Sequence, residues 1–139
     1  MILDDTAAAL YTTLAAGTAL TALLNGGTAS IYGDAPPDHA SYDYVLFTHA
    51  GGGVEALNPS YLENNVWLVQ AFSTTSAKTA AEIFAQADLL LHKKTLTIGT
   101  ADNIWTARET NVKLTEVDPA GTRIWRAGGY YRIRTTGNT

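Results

Sequence analysis

The run Tyr-Leu-Glu-Asn-Asn-Val-Trp-Leu-Val-Gln-Ala-Phe-Ser over residues 61–73, followed by the run Ala-Lys-Thr-Ala-Ala-Glu-Ile-Phe-Ala-Gln-Ala-Asp-Leu-Leu-Leu-His over residues 77–92, decides the fold. Around Val66, Trp67, Leu68 and Val69 both faces of the first run are apolar, which is the pattern of a central strand covered on both sides. Ser73, Thr74, Thr75 and Ser76 offer N-caps. Behind them the spacing predicts a helix whose buried stripe is Ala80, Ile83, Phe84, Ala87, Leu90 and Leu91. The alanines keep the stripe shallow, so the helix can lie close on a sheet. His92, Lys93 and Lys94 follow at its negative C-terminal end, where cations are favoured.

Upstream, Asp4-Asp5-Thr6 reads as a helix start, with Leu3, Ala7, Leu10, Tyr11 and Leu14 at helical spacing. Gly17 breaks that helix. A short second piece carries Leu20, Leu23 and Leu24 and ends at Asn25-Gly26-Gly27. Residues 29–32 read as a short strand. The loop Asp34-Ala35-Pro36-Pro37-Asp38-His39 follows, since Pro-Pro joins neither a helix nor an inner strand. Residues 42–49 alternate as a strand, with Tyr42, Tyr44, Leu46 and Thr48 on one face and Val45 and Phe47 on the other. Gly51-Gly52-Gly53 reads as the start of a flexible loop running to Pro59.

Downstream the pattern is β. Short strands are expected around Leu96 and Ile98, over residues 103–108 and over residues 112–117. Asp118-Pro119-Ala120-Gly121 carries a type I turn signature. Residues 122–127 return, Gly128-Gly129 interrupts, and residues 130–135 form the last strand before a tail expected to fray. This order predicts an α+β domain over residues 1–139, in which a mixed, mainly antiparallel β-sheet is flanked by an N-terminal helix and one long central helix. A split-βαβ arrangement is the alternative.

Charge is distributed unevenly. All nine basic residues lie between Lys78 and Arg134, while the stretch before Lys78 carries only acid: Asp4, Asp5, Asp34, Asp38, Asp43, Glu55 and Glu63. Opposite-sign surfaces on one small chain favour head-to-tail contact between copies, which closes into rings. Interleaving of the two segments on folding would cancel the effect.

The chemistry is sparse. With no cysteine, disulfides, thiolate zinc sites and cysteine nucleophiles are excluded. No apolar run approaches the ~20 residues of a membrane span, and the N-terminus lacks the positive start of a signal peptide. His39, His49 and His92 show no metal-ligand spacing. Asp34, Asp38 and His39 could form an acid–base cluster, against the simpler reading of a solvated turn-rich loop. Gly51-Gly52-Gly53 lacks the Lys and Ser/Thr of a phosphate loop. The hairpin residues Arg123, Trp125, Arg126, Tyr130, Tyr131, Arg132 and Arg134 admit three readings: single-stranded nucleic acid, an exposed strand face, or a protein interface. Trp105 and Arg108 join that surface if their strand is bulged. No catalytic, cofactor or metal residue is assigned. The profile favours an assembly protein over an enzyme.

The order of landmarks resembles a family. Leu10-Tyr11-Thr12-Thr13-Leu14 leads to Leu23-Leu24-Asn25-Gly26 and Ile31-Tyr32. A proline loop precedes Tyr42-Asp43-Tyr44-Val45-Leu46-Phe47. The helix of residues 80–91 precedes Asp118-Pro119-Ala120-Gly121 and Tyr130-Tyr131-Arg132-Ile133-Arg134. Together these resemble the tail completion, or tail terminator, proteins of long-tailed bacteriophages and related tailed particles. The resemblance implies a hexameric ring at the head-proximal end of the tail tube, made in the host cytoplasm. It would stop tube growth and present a docking surface to the head. Its expected partners are further copies of itself, the tail tube protein and a head-completion or connector protein, with DNA passing through without being held. No catalytic residue, cofactor or membrane contact is implied. On this basis Trp105, Arg108, Arg123, Trp125, Arg126, Arg132 and Arg134 are candidate interface residues, and Gly51, Gly52 and Gly53 a candidate docking loop. The alternatives are another connector or tube component, a small acid–base enzyme using Asp38 and His39, and a single-strand nucleic-acid binder.

Overall fold

The computed structural model describes residues 2–36, 42–55, 62–98 and 101–137. Helix α1 (Ile2–Ala15) begins two residues before the acidic start, so Asp4 and Asp5 occupy its first turn. Leu10 and Leu14 are fully buried, while Tyr11 is exposed and donates its hydroxyl to the Thr28 carbonyl oxygen at 3.3 Å. After Gly17 comes the single turn α2 (Thr18–Thr21). A 3-10 turn (Gly27–Ser30) takes up the first half of the strand expected over residues 29–32, leaving β1 as Ile31–Gly33.

Strands β2 (Tyr44–Glu55) and β3 (Leu62–Ser73) form a long antiparallel pair. Helix α3 (Ala77–Leu91) follows, capped by Ser76, whose Oγ accepts the Thr79 N–H at 3.0 Å. Then come β4 (Thr97–Ile98), β5 (Ala101–Val117) and β6 (Arg123–Gly137). The six-stranded sheet has the order β1-β2-β3-β6-β5-β4, with only the β1–β2 pair parallel. The α+β reading with a mainly antiparallel sheet therefore holds. The two strands expected between residues 103 and 117 are one strand. What reads in sequence as a break at Glu109-Thr110 is a register shift between Arg108 and Thr110.

Alternation along the strands sets two faces. Val45, Phe47, Trp67, Val69, Ala71, Tyr131 and Ile133 meet Leu10, Leu14, Ile83, Ala87 and Leu91 in the main core. Helix α3 packs on β3, β5 and β6, and α1 touches both β1 and β4, so the sheet wraps around the helical layer. The other face departs from the expectation of a strand covered on both sides. Its cluster of Tyr44, Leu46, Phe72 and Ile124, with Tyr32 and Tyr42 packed against it, contains no helical residue among the described residues. The aromatic rings bury one another instead: Tyr44 stacks on Phe72 at 4.8 Å between centroids and on Tyr42 at 5.1 Å.

Two glycine readings are corrected. Gly51, Gly52 and Gly53 do not start a loop. They continue β2 beyond a bulge at His49/Gly51 and pair with Val66, Asn65 and Asn64. Gly52 has φ +103, and a Cβ there would strike the Asn64 carbonyl oxygen, so the position needs glycine for both conformation and space. The rest of the expected docking loop, with Pro59, lies outside the described residues. Nor does Gly128-Gly129 interrupt a strand. β6 runs through it, and Gly128 sits where the Val69 carbonyl oxygen leaves no room for a side chain.

Candidate assembly surfaces

Strand order decides whether the charge asymmetry survives folding. β1, β2 and β3 come from the first part of the chain and lie side by side. β6, β5 and β4 come from the second part and fill the other half of the sheet. The lysine- and arginine-free segment therefore builds one side, and the basic segment the other. Within the sheet the two segments do not interleave; only the helices cross over, α1 touching β4 and α3 packing on β3.

The hairpin arginines are not equivalent. Pairing places Arg126, Arg132 and Arg134 on the face away from the helices, together with Leu114 and Trp105. There Arg126 pairs with Glu116 at 2.8 Å and lies 5.4 Å over the Phe72 ring. Arg132 pairs with Glu109 and donates to Asn64 Oδ1 at 2.7 Å. Arg108 lies on the opposite face. Residues 105–108 pair regularly with β6, so Trp105 and Arg108 point to opposite sides, and the shared surface expected of them is corrected.

Arg108 belongs to a partly buried polar cluster under α3. Its Nη1 meets Asp88 Oδ2 at 2.5 Å, and its backbone N–H donates to His92 Nδ1 at 2.9 Å. The other Asp88 oxygen accepts the Tyr131 hydroxyl at 2.5 Å. Tyr131 has no exposed surface. Burial, and then the Asp88 carboxylate, push its phenol far above the ordinary range. This cluster ties α3 to β5 and β6, and Asp88 spends both its oxygens within it. Sequence reasoning missed it, although a carboxylate bordering the buried stripe of an amphipathic helix, as Asp88 does, is its signature.

The remaining candidates scatter. His49 is exposed, with Nε2 3.1 Å from Asn65 Oδ1. Asp34 is exposed at the end of β1, and Asp38 and His39 lie outside the described residues. Among the described residues no group of three or more His, Cys, Asp or Glu side chains is placed to hold a metal ion, and no helix is long and apolar enough to cross a membrane. Arg123 is exposed and Trp125 half-buried near the hairpin end.

Against known families, residues 8–135 match the model of the tail completion protein gp17. The chain belongs to the tail completion protein gp17 family. That membership makes it a structural protein of the tail of a phage-like virion. A chain of the virion of a native gene transfer agent (GTA) particle has the same fold, with TM-score 0.76 over 99% of this chain and 98% of that one at 17% identity. No curated protein matches in sequence. For a tail completion protein, the surfaces that matter are those that meet other subunits. Among the described residues, the open sheet face and the two sheet edges are where β structure is left uncovered.

Proposed function

We propose that this tail completion protein forms a ring, with six copies as the family resemblance implies, at the head-proximal end of the tail tube. There it stops tube growth and supplies the surface to which the head joins. The observation that carries the reading is the side-by-side segregation of charge in the sheet. A subunit with unlike sides associates head to tail, and head-to-tail contacts that close make rings. The acidic surplus suits a wall past which DNA slides without being held.

The role proposed is mechanical and not catalytic. The open face bearing Trp105, Arg126, Arg132 and Arg134 is the candidate contact with the tube or head, while Arg108 leaves the interface set for its place beside Asp88. The single-strand nucleic-acid reading is weakened, because Glu116 and Glu109 offset the charge of Arg126 and Arg132. The test is tube assembly in the presence of the purified protein. A terminator binds one end, shortens the tubes and does not polymerise alone. Tubes made of this chain by itself would instead identify a tube subunit.

A further inference from the structure

We infer that copies of this chain join through the two lateral edges of the sheet, the outer edge of β5 receiving β1 of the next copy as an antiparallel neighbour. The inference rests on the ring reading and names its contact.

The outer edge of β5 is paired only at its start. β4 covers Ala101 and Asp102, Lys94 bridges to Thr106, and the Arg108 N–H is taken by His92. Over residues 109–117 no described residue pairs with that side. The segment holds neither glycine nor proline, and it keeps Leu114 46% and Val117 60% exposed. An unpaired strand edge is a template for another strand. At the far side of the sheet, β1 pairs with β2 alone among the described residues.

The register brings these two edges level. Ile31 lies opposite Val45, then Ala71, Ala127 and Lys113; Gly33 lies opposite Phe47, then Val69, Gly129 and Asn111. A copy shifted sideways along the sheet therefore sets its β1 beside residues 111–113, without sliding along the strands. The strand directions also agree. β1 runs with β2 and β6, and β5 runs against them, so the junction is antiparallel.

Charge selects the same pairing. Lys93, Lys94, Lys113 and Arg123 are exposed, and no hydrogen-bond or ion-pair partner engages their charged groups among the described residues. Lys113 lies within the free part of the β5 edge and the other three flank it or its turn, while Glu109 and Glu116 of the same segment are paired with Arg132 and Arg126. No residue of α1, α2, β1, β2 or β3 is Lys or Arg, and exposed Asp34 directly follows β1. In the antiparallel junction Asp34 falls next to residue 110, on the side of Lys93 and Lys94. A lysine placed only to guard an edge against aggregation explains Lys113 but neither the register nor the matching acid.

The experiment uses the absence of cysteine. Particles carrying Asp34→Cys with Thr110→Cys, the residue that falls beside it, are treated with a short bifunctional thiol reagent. The expected product is a covalent ladder longer than a dimer, with neither single variant giving more than dimers. Amides of residues 109–117 in the unsubstituted chain should also exchange at least tenfold more slowly in particles than in the free protein. Incorporated double variant without the ladder, or unchanged exchange in that segment, overturns the edge contact and leaves the ring reading standing. Absence of the native chain from tails overturns both.

Discussion

Replacement of Asp88 by Ala tests what fastens the long helix to the sheet. The Asp88 carboxylate holds the Tyr131 hydroxyl and the Arg108 guanidinium, each at 2.5 Å. Tyr131 is fully buried, so Asp88→Ala leaves its hydroxyl proton without an acceptor, with only Arg108 still beside the oxygen, at a cost of about 1–3 kcal/mol. The Arg108 pair is partly exposed, with side chains at 30% and 20%, and adds only about 0.2–1 kcal/mol. Tyr131→Phe removes the hydroxyl together with its demand and should cost about 0.5–1.5 kcal/mol. In the double variant nothing buried is orphaned, and the loss of Asp88 then costs little beyond the ion pair. The two substitutions should therefore fall short of additivity by about 1–2 kcal/mol. Urea unfolding of the four proteins measures this, and Asp88→Ala alone should lower Tm by roughly 5–15 °C. Additive losses, or an Asp88→Ala cost below about 0.5 kcal/mol, would refute the reasoning.

Other outcomes follow from the same packing. Tyr44 and Tyr131 are both raised well above their ordinary 10.0, in each case chiefly by burial, so unfolded tyrosines ionise at a pH where the folded ones do not. Their stabilisation is whole below pH 10 and declines above it by about 1.4 kcal/mol per pH unit for each residue; Tyr131→Phe should flatten the alkaline slope of stability measured by urea titration. Gly52→Ala should destabilise by about 2 kcal/mol or more through strained φ and the Asn64 backbone, whereas Gly51→Ala, with open space around it, should stay within about 0.5 kcal/mol. Equal effects in thermal unfolding would restore the loop reading. Ser76→Ala should cost about 1 kcal/mol by removing the cap of α3, and Ser76→Asp should retain most of it.

The layered fold was legible because strong periodicity and long elements coincide. The alternation of Tyr44, Val45, Leu46 and Phe47 gave both faces of β2, and the stripe of Ala80, Ile83, Ala87 and Leu91 gave the buried side of α3. The errors share a cause, since strand continuity is a tertiary property. Gly52 and Gly128 look like breaks in isolation but are needed where a neighbouring backbone comes close. Glu109 looks like an interruption but sits at a register shift and faces Arg132. The charge asymmetry was visible, but its meaning depended on strand order, which composition does not encode. The surroundings of the interface candidates were not legible, because Arg126 and Arg132 meet their acids across the sheet and Arg108 meets Asp88 of α3, at separations no local pattern reveals.

Electron microscopy of particles from a producer lacking this gene tests the central proposal most directly. The account predicts overlong tail tubes and filled heads left unjoined, both restored by supplying the chain in trans. Tubes of normal length joined to heads would contradict it.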